Sequence, residues 1–225
     1  MMIKPLLWRL GFEFANIRKA FENDADTIVY FAYGGNLDPK TLQRRRIKPL
    51  AEEPFTLRGY RLLFCRPGPF KGMGFASIEP DPTAIVVGKL YTITKADILR
   101  LDFYELAPVM SHYYREQLTQ DGKEFHVYRS TIVRDGLRPS PGYLKMILDG
   151  YGTMKDVPAD YLGMLNATEA LKELVPSDEL EFVLRVEPWM PEPLKDVVVA
   201  VDRKCLVLFM KYLYARSVTE GLIRA

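Results

Sequence analysis

The sequence predicts an α+β domain built on a mixed, barrel-like β-sheet with flanking helices. Three observations lead there. Strand-like and helix-like segments alternate irregularly, not as repeated βα units. Several strand-like runs stand close enough to pair as hairpins. An apolar, aromatic run at 27–33 enters Gly34-Gly35, and a helix start follows at Asp38-Pro39.

In chain order, Leu7, Leu10, Phe14, Ile17 and Phe21 stand at steps of three and four, one apolar stripe on a helix over 3–22. The stripe is read as packing on its own domain, with a dimer contact or a membrane-surface contact as alternatives. Asn23-Asp24-Ala25-Asp26 ends that helix. Asp38 as N-cap and Pro39 at the first helical position open a helix over 39–46. Tyr60 to Cys65 reads as a strand, and the Gly/Pro-rich stretch 66–74 as a loop. Residues 75–79 and 85–92 alternate like two strands joined by a turn at Pro80-Asp81-Pro82.

Thr94 caps a helix over 95–104. Strands over 113–119 and 124–132 are linked by the turn Asp121-Gly122. Pro141 opens a helix reaching about residue 149, and Pro158 another over 158–165. A proline-rich link, Glu187 to Pro193, precedes a tail whose 196–215 stretch suits a strand, a helix or both. The chain thus divides into an N-terminal amphipathic helical extension (1–26), one domain (27–185) and a C-terminal extension (186–225) without a functional reading.

Composition narrows the class. With 225 residues, 48% of them hydrophobic and 12% aromatic, the chain can bury a substantial core. A net charge of +2 is too mild for a nucleic-acid partner, and Arg44-Arg45-Arg46 reads as a solvated helix face. Cys65 and Cys205 make no disulfide framework, and His112 and His126 stand in no metal-ligand spacing. No apolar run is long enough to span a membrane, and the N-terminus lacks a secretory pattern, so a cytoplasmic location is the expectation. Homo-oligomerisation is left open.

Two segments carry chemistry. The first is Tyr33-Gly34-Gly35-Asn36-Leu37, where two glycines leave the backbone uncovered and several N–H groups can point at one bound oxygen. The second is Leu101-Asp102-Phe103-Tyr104-Glu105. Phe103, Tyr104, Leu106, Ala107, Pro108 and Val109 make the surroundings of Glu105 apolar, and burial there suits a carboxyl to proton transfer near neutrality. Tyr128 and Tyr143 join Tyr33 as candidates to line a polar pocket; core packing is the alternative. Ser77 and Ser140 read as strand or capping residues, and no local pattern supports a Cys65–His nucleophilic pair.

The glycine loop resembles the Tyr-Gly-Ser-Asn-Leu signature of the gamma-glutamylcyclotransferase family, with Gly35 in place of serine. The Leu-Asp-x-x-Glu segment is similar to the one that holds the family's general acid/base. The resemblance extends to Gly74–Pro80, to Gly88-Lys89-Leu90-Tyr91, to Tyr114-Arg115 and to Pro139–Tyr143, in the family's order over about 28–165. It implies an α+β, gamma-glutamylcyclotransferase-like fold.

The implied reaction attacks the γ-carbonyl of a γ-glutamyl amino acid, peptide or amine with the compound's own α-amino nitrogen. This releases 5-oxoproline and a free amine, as in glutathione metabolism. Glu105 would be the acid/base, and Tyr33, Gly34, Gly35, Asn36, Leu37, Tyr128 and Tyr143 would hold the substrate. No metal or cofactor is implied. Leu106 departs from the family's usual glycine, and with Gly35 it keeps a second expectation in play: a binding module with weak or no turnover that uses the same pocket for a γ-glutamyl or other small anionic ligand.

Overall fold

The structure is a computed structural model in which residues 26–105, 113–175 and 177 are described. Strand β1 (Thr27–Ala32) leads through a 3-10 turn (Gly35–Leu37) into helix α1 (Pro39–Arg44). Strands β2 (Ala51–Pro67) and β3 (Gly74–Thr94) follow, then helix α2 (Lys95–Tyr104), strands β4 (Tyr113–Gln120) and β5 (Lys123–Ser130), and helices α3 (Pro141–Tyr151) and α4 (Ala159–Asn166).

The five strands form one mixed sheet in the order β2-β3-β1-β5-β4. β1 runs antiparallel to β3 and parallel to β5. It lies inside the sheet, which explains its unbroken apolar run: Tyr30, Phe31 and Ala32 are all buried. The rings of Phe31, Phe55 and Phe125 meet at 5.2–5.9 Å between centroids and join three strands into the core.

Among the described residues the sheet is not closed as a barrel, and β2 and β4 are its edges. It curves far enough that Gln120, at the end of β4, reaches β2. Gln120 Nε2 donates to Thr56 O (2.9 Å) and Arg58 N donates to Gln120 Oε1 (2.8 Å). One side-chain amide thus makes both bonds that a neighbouring strand's peptide would make.

Two expected elements differ from those observed. The strand expected at 60–65 is the second half of a longer strand beginning at Ala51. The pair expected at 75–79 and 85–92 is one continuous strand, β3. The turn chemistry at Pro80-Asp81-Pro82 is present, with Asp81 Oδ1 accepting from Thr83 N (3.0 Å), but it is absorbed as an irregularity. The ladder steps from Arg58↔Ile85 to Tyr60↔Pro80, and Gly59 between them takes φ +79°, a conformation glycine adopts freely.

The caps form as expected. Asp38 accepts from Lys40 N, Asp97 N donates to Thr94 Oγ1, and Ser140 accepts from Tyr143 N. The Asp121-Gly122 turn is present, with φ +55° and +72°. The helix expected over 3–22, Leu106, Cys205 and the C-terminal extension lie outside the described residues. Among the described residues no helix is long and apolar enough to cross a membrane.

Candidate active site

Three elements bring the candidate residues together. β1 ends at Tyr33 and delivers the 3-10 turn, closed by Leu37 N–H on Gly34 O (2.9 Å) and Asp38 N–H on Gly35 O (3.4 Å). α2 lays Ile98 and Leu101 on the core and ends with Glu105 at its C-terminal edge. α3 packs on the turn through Gly150, where an added Cβ would stand 2.6 Å from Leu37 Cβ. That close approach requires glycine and sets Tyr143 beside Gly35.

Glu105 and Asn36 are 69 residues apart in sequence and meet side chain to side chain, Asn36 Nδ2 donating to Glu105 Oε1 at 3.2 Å. Arg45 binds both: its Nη1 donates to Glu105 Oε1 and to Asn36 Oδ1, each at 2.8 Å. The guanidinium lies over the Tyr104 ring, 4.7 Å from the centroid, and Asn36 Nδ2 also donates to Tyr30 Oη at 2.7 Å. Side-chain exposures of 22% for Arg45 and 17% for Glu105 leave the pair within reach of a solute.

Of the apolar surround expected for Glu105, the Phe103 side chain and residues 106–109 lie outside the described residues. Among the described residues its carboxylate is met by a cation and an amide. For Arg45, burial opposes the charge, but the adjacent Glu105 carboxylate outweighs it and the guanidinium is held more firmly protonated than usual. Arg45 and Tyr30 are site residues that sequence reasoning missed. Arg45 sits in a run of three arginines that reads as solvated surface, and only α1's placement against α2 distinguishes it. Tyr30 lies in an ordinary core pattern with no such signal.

The three tyrosines separate by where their protons go. Tyr33 Oη donates to Tyr128 O (2.5 Å), and Tyr128 Oη donates to Asp102 Oδ1 (2.6 Å). Both hydroxyls thus tie the glycine loop, β5 and α2 together. Tyr143 Oη accepts from Ala76 N (3.3 Å) and faces the Gly35 backbone N–H, and among the described residues no acceptor takes its proton. Its ring is wedged edge-on against Phe64 and Phe75. Burial pushes all three phenols above their ordinary pKa, so they stay protonated at neutral pH.

The loop amides are also sorted. Those of Leu37 and Asp38 close the turn and that of Gly35 faces Tyr143 Oη, which narrows the donor role for a ligand oxygen to Gly34 and Asn36. Leu37 itself is fully buried core. Cys65 is buried, and burial first, then Glu79, pushes its thiol up to about 11, against a nucleophilic role. Among the described residues no three His, Cys, Asp or Glu side chains gather closely enough to hold a metal ion.

Residues 30–141 match the family described as Gamma-glutamyl cyclotransferase, AIG2-like. Among solved structures, the chain is similar to the protein loc79017 from Homo sapiens, with 25% identity and a TM-score of 0.53 over 77% of this chain and 98% of that one. A structure named gamma-glutamyl cyclotransferase is similar at 24% identity and a TM-score of 0.53, over 78% and 99% of the two chains. YkqA from Bacillus subtilis shares the fold at 19% identity and a TM-score of 0.53, over 71% of this chain and 60% of that one. No curated protein matches the chain. Residues 30–141 thus form a domain of the AIG2-like gamma-glutamyl cyclotransferase family.

Proposed function

We propose that this protein is a gamma-glutamylcyclotransferase-type enzyme that cyclises a γ-glutamyl amino acid, peptide or amine to 5-oxoproline and a free amine. Glu105 takes a proton from the substrate's α-ammonium. The freed amine attacks the γ-carbonyl and the five-membered ring closes. The leaving nitrogen takes the proton from Glu105 as its C–N bond breaks. The restored carboxylate removes the second proton from the ring nitrogen, and that proton departs with the expelled amine as its ammonium. The amides of Gly34 and Asn36 and the Tyr143 hydroxyl are the donors for the developing oxyanion. Because the attack is intramolecular, holding the chain in a ring-ready shape supplies much of the acceleration. Cofactors play no part in this scheme, and the partner is the small γ-glutamyl substrate.

The observation that carries the reading is the meeting of Glu105 with Asn36 of the glycine loop, beside a tyrosine whose proton meets no acceptor among the described residues. Glu105→Gln keeps size and polarity but cannot accept the ammonium proton. Its release of 5-oxoproline, followed by mass spectrometry over a panel of γ-glutamyl compounds, is expected to fall by about 10²–10⁴-fold. Unchanged release would remove Glu105 from the mechanism. The Arg45–Glu105 ion pair at 2.8 Å favours a second reading, a binding module whose carboxylate is already engaged. No 5-oxoproline from any compound in the panel would favour it.

A further inference from the structure

Among the described residues Arg45 hydrogen-bonds through one nitrogen. Nη1 donates to both Glu105 Oε1 and Asn36 Oδ1, while among the described residues no acceptor meets Nε or Nη2. The guanidinium plane is held over the Tyr104 ring, so its remaining N–H groups keep a fixed direction. The side chain is 22% exposed, so those groups are not sealed in the core.

The charge arrangement is itself informative. A γ-glutamyl compound carries an ammonium and a carboxylate on a single α-carbon. The site holds a carboxylate and a guanidinium 2.8 Å apart, the complementary pair in the complementary spacing. Docking the α-amino acid head across that pair exchanges one set of ionic contacts for another and leaves no charge buried alone. Asn36, bonded to both members of the pair, keeps them in register as the head enters.

We infer that Arg45 is the specificity-determining residue for the substrate's α-carboxylate, which it receives on Nε and Nη2 while Glu105 receives the α-ammonium. This deepens the cyclotransferase reading and rests on it for the identity of the substrate. It assigns the loop amides and the Tyr143 hydroxyl to the γ-carbonyl oxygen alone. Arg45 thereby restricts the protein to γ-glutamyl compounds whose α-carboxylate is free, whatever amine is expelled.

The test compares γ-glutamyl-alanine with the same compound bearing an α-carboxamide on its glutamyl unit. The carboxamide lowers the basicity of the neighbouring amine, so ring-closing chemistry alone would favour it. The parent protein is expected to prefer the free acid by about 10- to 100-fold in kcat/KM, the worth of a charge-assisted hydrogen bond. Arg45→Met should bring that ratio close to one, and Arg45→Lys, which keeps the charge without the planar fork, should retain only part of it. A parent protein indifferent to the carboxamide, or a ratio unchanged in Arg45→Met, would overturn the assignment.

Calorimetric binding of 5-oxoproline against 5-oxoprolinamide, which needs no turnover, separates this proposal from the cyclotransferase reading. A preference for 5-oxoproline that disappears in Arg45→Met supports the carboxylate site even if the panel shows no cyclisation. Equal binding of the two, binding of neither, or a preference that survives the substitution rejects it.

Discussion

A carboxylate at the C-terminal end of a helix faces the negative pole of that helix, and Glu105 stands at the end of α2. Arg45 supplies the opposing charge, which explains why a guanidinium from a neighbouring helix is drawn to this spot. One turn earlier, Asp102 accepts from Tyr128 Oη at 2.6 Å and stands 3.4 Å from Arg115 Nη1. Burial nevertheless raises its pKa above 3.8, the Tyr128 bond and Arg115 offsetting only part of the cost. A raised folded value means that the stabilising contribution is full below pH 3.8 and is lost as pH rises through the folded value. Asp102→Asn keeps an acceptor for Tyr128 and removes the titration. It should melt a few degrees above the parent at pH 7, and the two melting curves should converge as the buffer approaches pH 4. A gap that widens on acidification would contradict this sign.

At the scale of elements, the glycine loop works through space as much as through backbone freedom. An added Cβ on Gly34 would lie 3.5 Å from Ala76 Cβ and 3.6 Å from Tyr143 Oη, ordinary contact distances. Gly34→Ala should therefore be tolerated, whereas Gly34→Val pushes methyl groups into the Tyr143 hydroxyl. A Cβ on Gly35 would stand 3.2 Å from Met146 Sδ, the far part of a flexible side chain. Gly35→Ser should keep 5-oxoproline release at or above the parent's level with little change in melting temperature. Gly34→Val should lose it by about 10²-fold or more, the cost of one lost oxyanion donor. Steady-state assays on the three variants decide the matter, and full activity in Gly34→Val would take the loop out of the mechanism.

For the molecule as a whole, the curvature of the sheet brings β1, α2 and α3 to one end, and that curvature is pinned where β4 meets β2. Gln120 bridges the two edges through its side-chain amide, beside the Arg58–Asp121 and Lys123–Glu53 ion pairs. Gln120→Leu leaves Thr56 O and Arg58 N without that partner and should cost about 1–2 kcal/mol. For a domain of this size that is a fall in melting temperature of about 2–8 °C. If the bridge matters only to stability, kcat of the folded variant stays near the parent's. A thermal melt unchanged in Gln120→Leu would show that the sheet holds its curve without the bridge.

Much of this protein was determined locally and was therefore legible in the sequence. Asp38-Pro39, Thr94 and Ser140-Pro141 mark helix starts because a cap's side chain bonds backbone amides two or three residues on. Asp121-Gly122 marks a hairpin because only certain residues take positive φ without cost. The glycine loop and Glu105 were legible as separate pieces, each by its own motif. The tertiary structure decided what depends on distant residues meeting: that Pro80-Asp81-Pro82 lies within a single strand paired to β2, and that the sheet curves without closing. It also decided which of three adjacent arginines faces inward. A run of three arginines at an expected helix end does not say which one is covered; in the structure α1 stops at Arg44, Arg46 turns to φ +56°, and Arg45, the C-cap between them, meets Glu105.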